Sequence, residues 1–450
     1  MERNKGEVYL VSEAITAGRT LQRSVRRHAL GWLVAANAVG FWLAALLLWP
    51  ELNELTAPFT YGRWVPLHLD WQLYGWCALP LVGALYRFYF NASSAETWFG
   101  RVGLWAWTFA LMYAGLTWLA GGASGKLFIN FADSARVGWT LALLVLWLVI
   151  AGFWLRVERG FRTRLAQLMG DVLLVLLLTV PFLFYWAAGL TVYPVVDPDS
   201  GGATGASLFG STLALVALFG LLPHLLRLKK IGNDRYYWPA FILSVTFFAG
   251  MQHSNASHHN LGQIAGMAVL LAWIPAMAVF ARTYRWAENS RRWLTAAFVW
   301  WLSLVVTGFL TFLPGWSERL KFTNALVAHS HLAMAGLVTS LHVAILLNLD
   351  FGAGKLAGVA AKVETPASLP ARRREEFTLS DWSFWLWQTS CALHVTVLLW
   401  LGWNEGGDPS LLYVRGGLAD WCYGLRFAAG GAMFVASLNW LWAAWKNDQE

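Results

Sequence analysis

Twelve runs of mostly apolar residues, each about the 20 residues that an α-helix needs to cross roughly 30 Å of hydrocarbon, follow one another along this chain of 450 residues. They start near positions 29, 64, 102, 136, 170, 206, 237, 261, 293, 322, 381 and 419. In lipid the backbone must satisfy its own hydrogen bonds, so such runs are expected to be helices. The predicted fold class is all-α: a polytopic membrane protein folded as a twelve-helix transmembrane bundle. Hydrophobic residues make up 58% of the chain and charged ones only 13%, as befits a protein whose solvent is mostly lipid. The loops are too short for separate domains. We expect a cytoplasmic N-terminal segment over 1–28, one twelve-span domain over 29–446, and within it a cytoplasmic linker at 350–379, Gly- and Ala-rich and then charged.

Cations set the expected orientation. One set of loops carries Arg19, Arg23, Arg26 and Arg27, then Arg156, Arg159, Arg162 and Arg164, then Arg227, Lys229, Lys230 and Arg235, then Arg282, Arg285, Arg291 and Arg292, then Arg372, Arg373 and Arg374; the opposite loops are poor in cations. The rich side is expected to be cytoplasmic, in a multi-pass protein of a bacterial-type inner membrane with its N-terminus inside. The formal charge of +8 is dispersed in these loops and forms no continuous face, which excludes nucleic acid as a partner. The first 28 residues lack the apolar core of a cleavable signal, so the first run is expected to be a retained anchor. Thirty tryptophans point to belts at the two lipid interfaces. Cys77, Cys391 and Cys422 have no C-x-x-C spacing and are read as packing residues; no C-x-x-C-H site for a covalent c-type heme occurs.

Chemistry is then sought among the ten histidines. His68 opens the second run, His253 closes the seventh, His258 and His259 connect it to the eighth, and His329 with His331 lies early in the tenth. All six fall near one face. Imidazoles at a common depth suggest heme or metal ligation. Side chains two apart on a helix point about 200° from each other, so His329 and His331 cannot share one compact metal but can serve two cofactors, one on each side. Ser330, Ala333, Ala335 and Gly336 leave room for flat macrocycles. His253, His258 and His259, three imidazoles within seven residues, form a candidate metal site. His224, His342 and His394 are assigned no role.

The stretch Tyr61-Gly62-Arg63-Trp64-Val65-Pro66-Leu67-His68 resembles the F-G-R-x-R-P-L-H opening of the second helix in cbb-type cytochrome c oxidases and bacterial nitric oxide reductases. Ala328-His329-Ser330-His331 resembles their H-x-H on the tenth helix. With twelve runs, the chain is similar to subunit I of the heme-copper oxidase superfamily over nearly its whole length. The resemblance implies that His68 and His331 are axial ligands of a low-spin heme b and that His329 is the proximal ligand of a second, high-spin heme.

The second-metal site departs from the family pattern. Ser211 stands where the sixth helix of those proteins carries a histidine, Gln252 replaces the first of a His-His pair whose second member is His253, and Thr246 stands about where oxidases have a tyrosine. Copper is therefore doubtful. Two readings follow: a heme subunit that moves electrons between a c-type cytochrome or other partner subunits, or a terminal reductase of dioxygen or nitric oxide with a non-standard metal site. A transporter is a third reading, disfavoured because the histidines cluster near one face.

Overall fold

The computed structural model describes residues 2–91, 93–156, 163–349, 377–413 and 416–446, with side chains from Thr16 onward. Each of the twelve predicted runs is helical. We number them α1 (Glu2–Leu48), α2 (Tyr61–Asp70, Trp71–Cys77 and Leu79–Tyr89), α3 (Ser94–Leu119), α4 (Asp133–Trp154), α5 (Arg164–Ala187), α6 (Gly205–Leu225) and α7 (Tyr237–Ala249). Then follow α8 (Leu261–Arg282), α9 (Arg291–Phe312), α10 (Asn324–His331, Leu332–Val338 and Thr339–Asn348), α11 (Asp381–Gly407) and α12 (Gly417–Lys446). Among the described residues ten helices are long and apolar enough to cross a membrane. The segmented α2 and the 13-residue α7 are the other two of the twelve helical runs.

Start signals are local. Ser93 and Glu96 cap α3 reciprocally, and Thr163, Thr204, Asn260 and Thr323 each accept a backbone N–H at the head of α5, α6, α8 and α10.

α1 runs unbroken from Glu2 into the first span, so the segment expected at 1–28 is helical from Glu2. Two expectations need correction. The seventh helix stops at Ala249, so His253 lies beyond it, in a loop; Gly250 at the C-cap and the polar run Gln252-His253-Ser254-Asn255 end the apolar pattern. The tryptophans form more than belts. Trp98, Trp186, Trp385, Trp421 and Trp442 are exposed, but Trp76, Trp118, Trp139, Trp293, Trp301, Trp387 and Trp440 are fully buried. Of the linker expected at 350–379, residues 350–376 lie outside the described residues.

Within the bundle α2 touches α1, α3, α4, α6 and α10, while α10 touches α2, α9 and α11. Of the most apolar window of α10, 72% is buried, against 22% for α5, so α10 is central and α5 peripheral. Both central helices contain a π-helical segment just past a histidine: Trp71–Cys77 after His68, and Leu332–Val338 after His331. Such a turn adds a residue and loosens the backbone ladder, and it is common at functional sites. In each segment a buried indole bonds a backbone carbonyl: Trp107 Nε1–H donates to Tyr74 O (2.8 Å) and Trp387 Nε1–H to Ala335 O (2.9 Å). Trp387→Phe should therefore cost about 1 kcal/mol or somewhat more in a reversible unfolding titration of the purified protein, whereas Trp385→Phe, on the exposed face of the same helix, should be near neutral. Equal effects from the two would remove the indole-carbonyl bond from the account.

Candidate functional site

His68 and His331, brought from α2 and α10, face one another in the middle of the bundle. Their ring centres are 6.3 Å apart and their planes lie within 25° of parallel. Each ring is oriented by a backbone carbonyl. His68 Nδ1–H donates to Ala36 O of α1 (2.9 Å), and His331 Nδ1–H donates to Val327 O one turn earlier in its own helix (2.8 Å). That bond selects the tautomer with the proton on Nδ1 and a lone pair on Nε2, the form in which a histidine ligates a metal. Gly40, one turn beyond Ala36, clears the space: a Cβ there would lie 2.5 Å from His68 Cε1.

The spacing tests the fit to a bis-imidazole metal centre. A metal sits about 2 Å from each ring nitrogen and roughly 1 Å more from each ring centre, so the two centres should be roughly 6 Å apart. His68 and His331 meet this. The tautomer alone would not discriminate, since His342 Nδ1 bonds Val338 O in the same way (2.6 Å), but what faces His342 is the Trp76 ring, 6.0 Å away.

His329 points elsewhere. Its Nδ1 is 3.2 Å from Thr307 Oγ1 of α9, and a Cβ on Gly308 would come within 3.1 Å of its Cε1. The two histidines of the H-x-H thus address different neighbours, α9 on one side and α2 with α11 on the other. Beside Thr307 lies a cavity of about 150 Å³ lined by Thr311, Leu320, Ala325, Leu399 and Trp403 among others.

Sequence reasoning missed three participants. His394 of α11 has its ring centre 4.4 Å from that of His331, too close for a metal between them, and both its nitrogens are buried without a hydrogen-bond partner. Arg426 of α12 lies within electrostatic reach of His68, His331 and His394, and its Nε is also buried without a partner. Gly40 is the third. Only an unexplained polar residue inside an apolar run could have flagged His394 and Arg426.

The residues expected around a second metal do not converge. Ser211 is exposed and its hydroxyl donates to Leu208 O (2.9 Å); Thr246 is exposed and donates to Ile242 O (3.0 Å). Gln252 donates to Ser254 Oγ (2.9 Å), and the exposed His253 has Nε2 3.0 Å from Phe248 O. Where α6, α7 and the head of α8 meet, apolar side chains fill the space: the Phe209 and Phe248 rings are 6.1 Å apart, and a Cβ on Gly266 would strike Met251.

Of the loop trio, the structure brings His258 and His259 together and leaves His253 out. His258 is fully buried between two carboxylates, with Nδ1 2.7 Å from Asp197 Oδ2 and Nε2 2.6 Å from Glu318 Oε1. His259 Nε2 lies 3.1 Å from the same Glu318 oxygen. Burial alone would raise Asp197, but hydrogen bonds from Ser200, Asp199 N–H and His258 outweigh it and hold the carboxyl below its usual range. For Glu318, too, burial is overcome, by His258 and by backbone N–H groups of Glu318 and Gly315, which take it down to about 2.

No protein-family model and no curated protein matches the chain. A solved structure, that of a heme-copper terminal oxidase dimer, matches with a TM-score of 0.59 at 12% sequence identity, over 97% of this chain and 84% of that one. This chain has the fold of a heme-copper terminal oxidase.

The depressed carboxyls give a pH expectation. Unfolded Asp and Glu titrate near 4, so the stability contributed by Asp197 and Glu318 is fully present above that value and is lost as pH falls through their folded values. Amide exchange in the 250–260 loop, corrected for intrinsic rates, should show protection constant from pH 7 to about 5 and falling below about 4. Protection already weaker at pH 7 in Glu318→Gln is expected; an unaffected loop would show that Glu318 does not hold it.

Proposed function

We propose that the chain is a membrane-embedded heme subunit whose own residues hold one low-spin heme between His68 and His331 and a second heme on His329. The observation that carries this reading is the facing pair: two imidazoles at 6.3 Å, each with Nδ1–H given to a backbone carbonyl. A heme held there would supply one-electron transfer. The chain supplies position. Ala36 O and Val327 O fix which nitrogen of each axial ring is free, Gly40 makes room for one ring, and Thr307 orients His329 on the opposite side of α10. The orphaned nitrogens of His394 and Arg426 fit the polar edge of a macrocycle better than they fit a closed apolar core.

Electron transfer is favoured over gas reduction by the second-metal region. Reduction of dioxygen or nitric oxide in this fold calls for a metal facing the high-spin heme, and the side chains at the ends of α6 and α7 offer it no ligand set: Phe209, Phe248 and Met251 pack there, and Ser211 faces outward. The subunit would accept electrons from, and pass them to, partner subunits such as a c-type cytochrome. Its expected orientation puts the histidines toward the external face.

Two measurements test the reading. His68→Ala or His331→Ala should each abolish the low-spin b-type band in reduced-minus-oxidised spectra and lower the heme count by one per chain, and Gly40→Val should mimic His68→Ala by displacing the ring. His329→Ala should remove the high-spin signal alone. Unchanged spectra in both axial variants would refute the assignment. Separately, His394→Phe should keep two hemes per chain while shifting the low-spin band or its midpoint potential; loss of heme in that variant would instead make His394 a ligand.

A further inference from the structure

The loop network at the histidine end of the bundle has the donors of a metal site that no heme reading needs. Asp199, His258 and His259 each present a ligand atom, all within 4.8 Å of one another. Glu318, from the connection between α9 and α10, adds a fourth donor, because its Oε1 contacts Nε2 of both His258 (2.6 Å) and His259 (3.1 Å). The two imidazole rings are adjacent, 4.4 Å between centres. Behind them Asp197, wholly buried, accepts from His258 Nδ1 (2.7 Å). A buried carboxylate on the far nitrogen is the support that metal-ligating histidines almost always have, and it leaves Nε2 as the coordinating atom.

We propose that Asp199, His258, His259 and Glu318 bind one borderline divalent cation of the zinc class, with Asp197 as the orienting carboxylate. Two imidazoles and two carboxylates suit such an ion better than a hard calcium ion, which prefers six to eight oxygens, or a soft one that prefers thiolates. Binding replaces the His258 and His259 contacts to Glu318 by bonds to the metal. Charge favours it. Asp197, Asp199 and Glu318 stand against Lys321, whose Nζ is 3.7 Å from Asp197 Oδ2. The ion ties together the loops that precede α6, α8 and α10. The inference differs from the sequence expectation in its ligands, since His253 is excluded and two carboxylates enter, and it does not rest on the heme reading.

The test uses the full chain in detergent, stripped with a chelator and titrated with zinc, then with cobalt as an optical probe. One ion per chain is expected, with a Kd of about micromolar or tighter, and a cobalt absorption typical of a four-coordinate site. His259→Ala and Asp199→Asn, both on exposed side chains, should weaken binding at least tenfold while leaving the heme bands and the melting temperature of the metal-free protein unchanged. Zinc binding only near millimolar, or binding by both variants equal to that of the parent, would overturn the site. Because heme content is read in the same samples, failure here and failure of the heme assignment are distinguishable.

Discussion

At membrane depth a backbone carbonyl has no water to turn to, and the interior of this bundle is arranged around that constraint. The π-helical segments of α2 and α10 disturb the backbone ladder where the lipid environment tolerates it least. Trp107 and Trp387 reach in from α3 and α11 to bond carbonyls there. Other carbonyls are used deliberately: Ala36 O and Val327 O take the Nδ1–H of His68 and His331. The same kind of bond that stabilises the irregular helices thus fixes the tautomer and aim of the candidate ligands. Of the fully buried indoles, Trp118, Trp301 and Trp387 donate to backbone carbonyls.

The polar atoms left over are informative for the same reason. A buried nitrogen without a partner is costly, and costlier still away from water, so His394 and Arg426 beside a facing histidine pair call for a ligand. Two other buried histidines resist that reading. His342 Nε2 is likewise buried without a partner, but what its ring faces is a tryptophan, and His258 has a carboxylate on each nitrogen. Residue type is shared by all three cases; the neighbours separate them.

The two ends of α6 to α8 differ sharply in chemistry. Inside the bundle, at the place where the resemblance implies a second metal, aromatic side chains and a methionine pack together. A few residues away in the chain, outside the helices, imidazoles and carboxylates gather. The stop of α7 at Ala249 divides the two, because it releases the following histidines from helical geometry and lets His258 swing between Asp197 and Glu318.

The number, order and class of the helices were legible in the sequence, since a 20-residue apolar run has one low-energy solution in lipid. So was the opposed aim of His329 and His331, which follows from 3.6 residues per turn. The sequence also marked Ser211 and Gln252 as departures from a metal-binding pattern. Only the tertiary structure decided what each histidine faces: that His68 meets His331 at bis-imidazole spacing, that Gly40 makes room, that His394 joins them, and that His253 parts from His258 and His259. Periodicity fixes the direction of a side chain about its own helix axis, whereas these contacts depend on the register and rotation of one helix against another, set by packing between residues far apart in the chain.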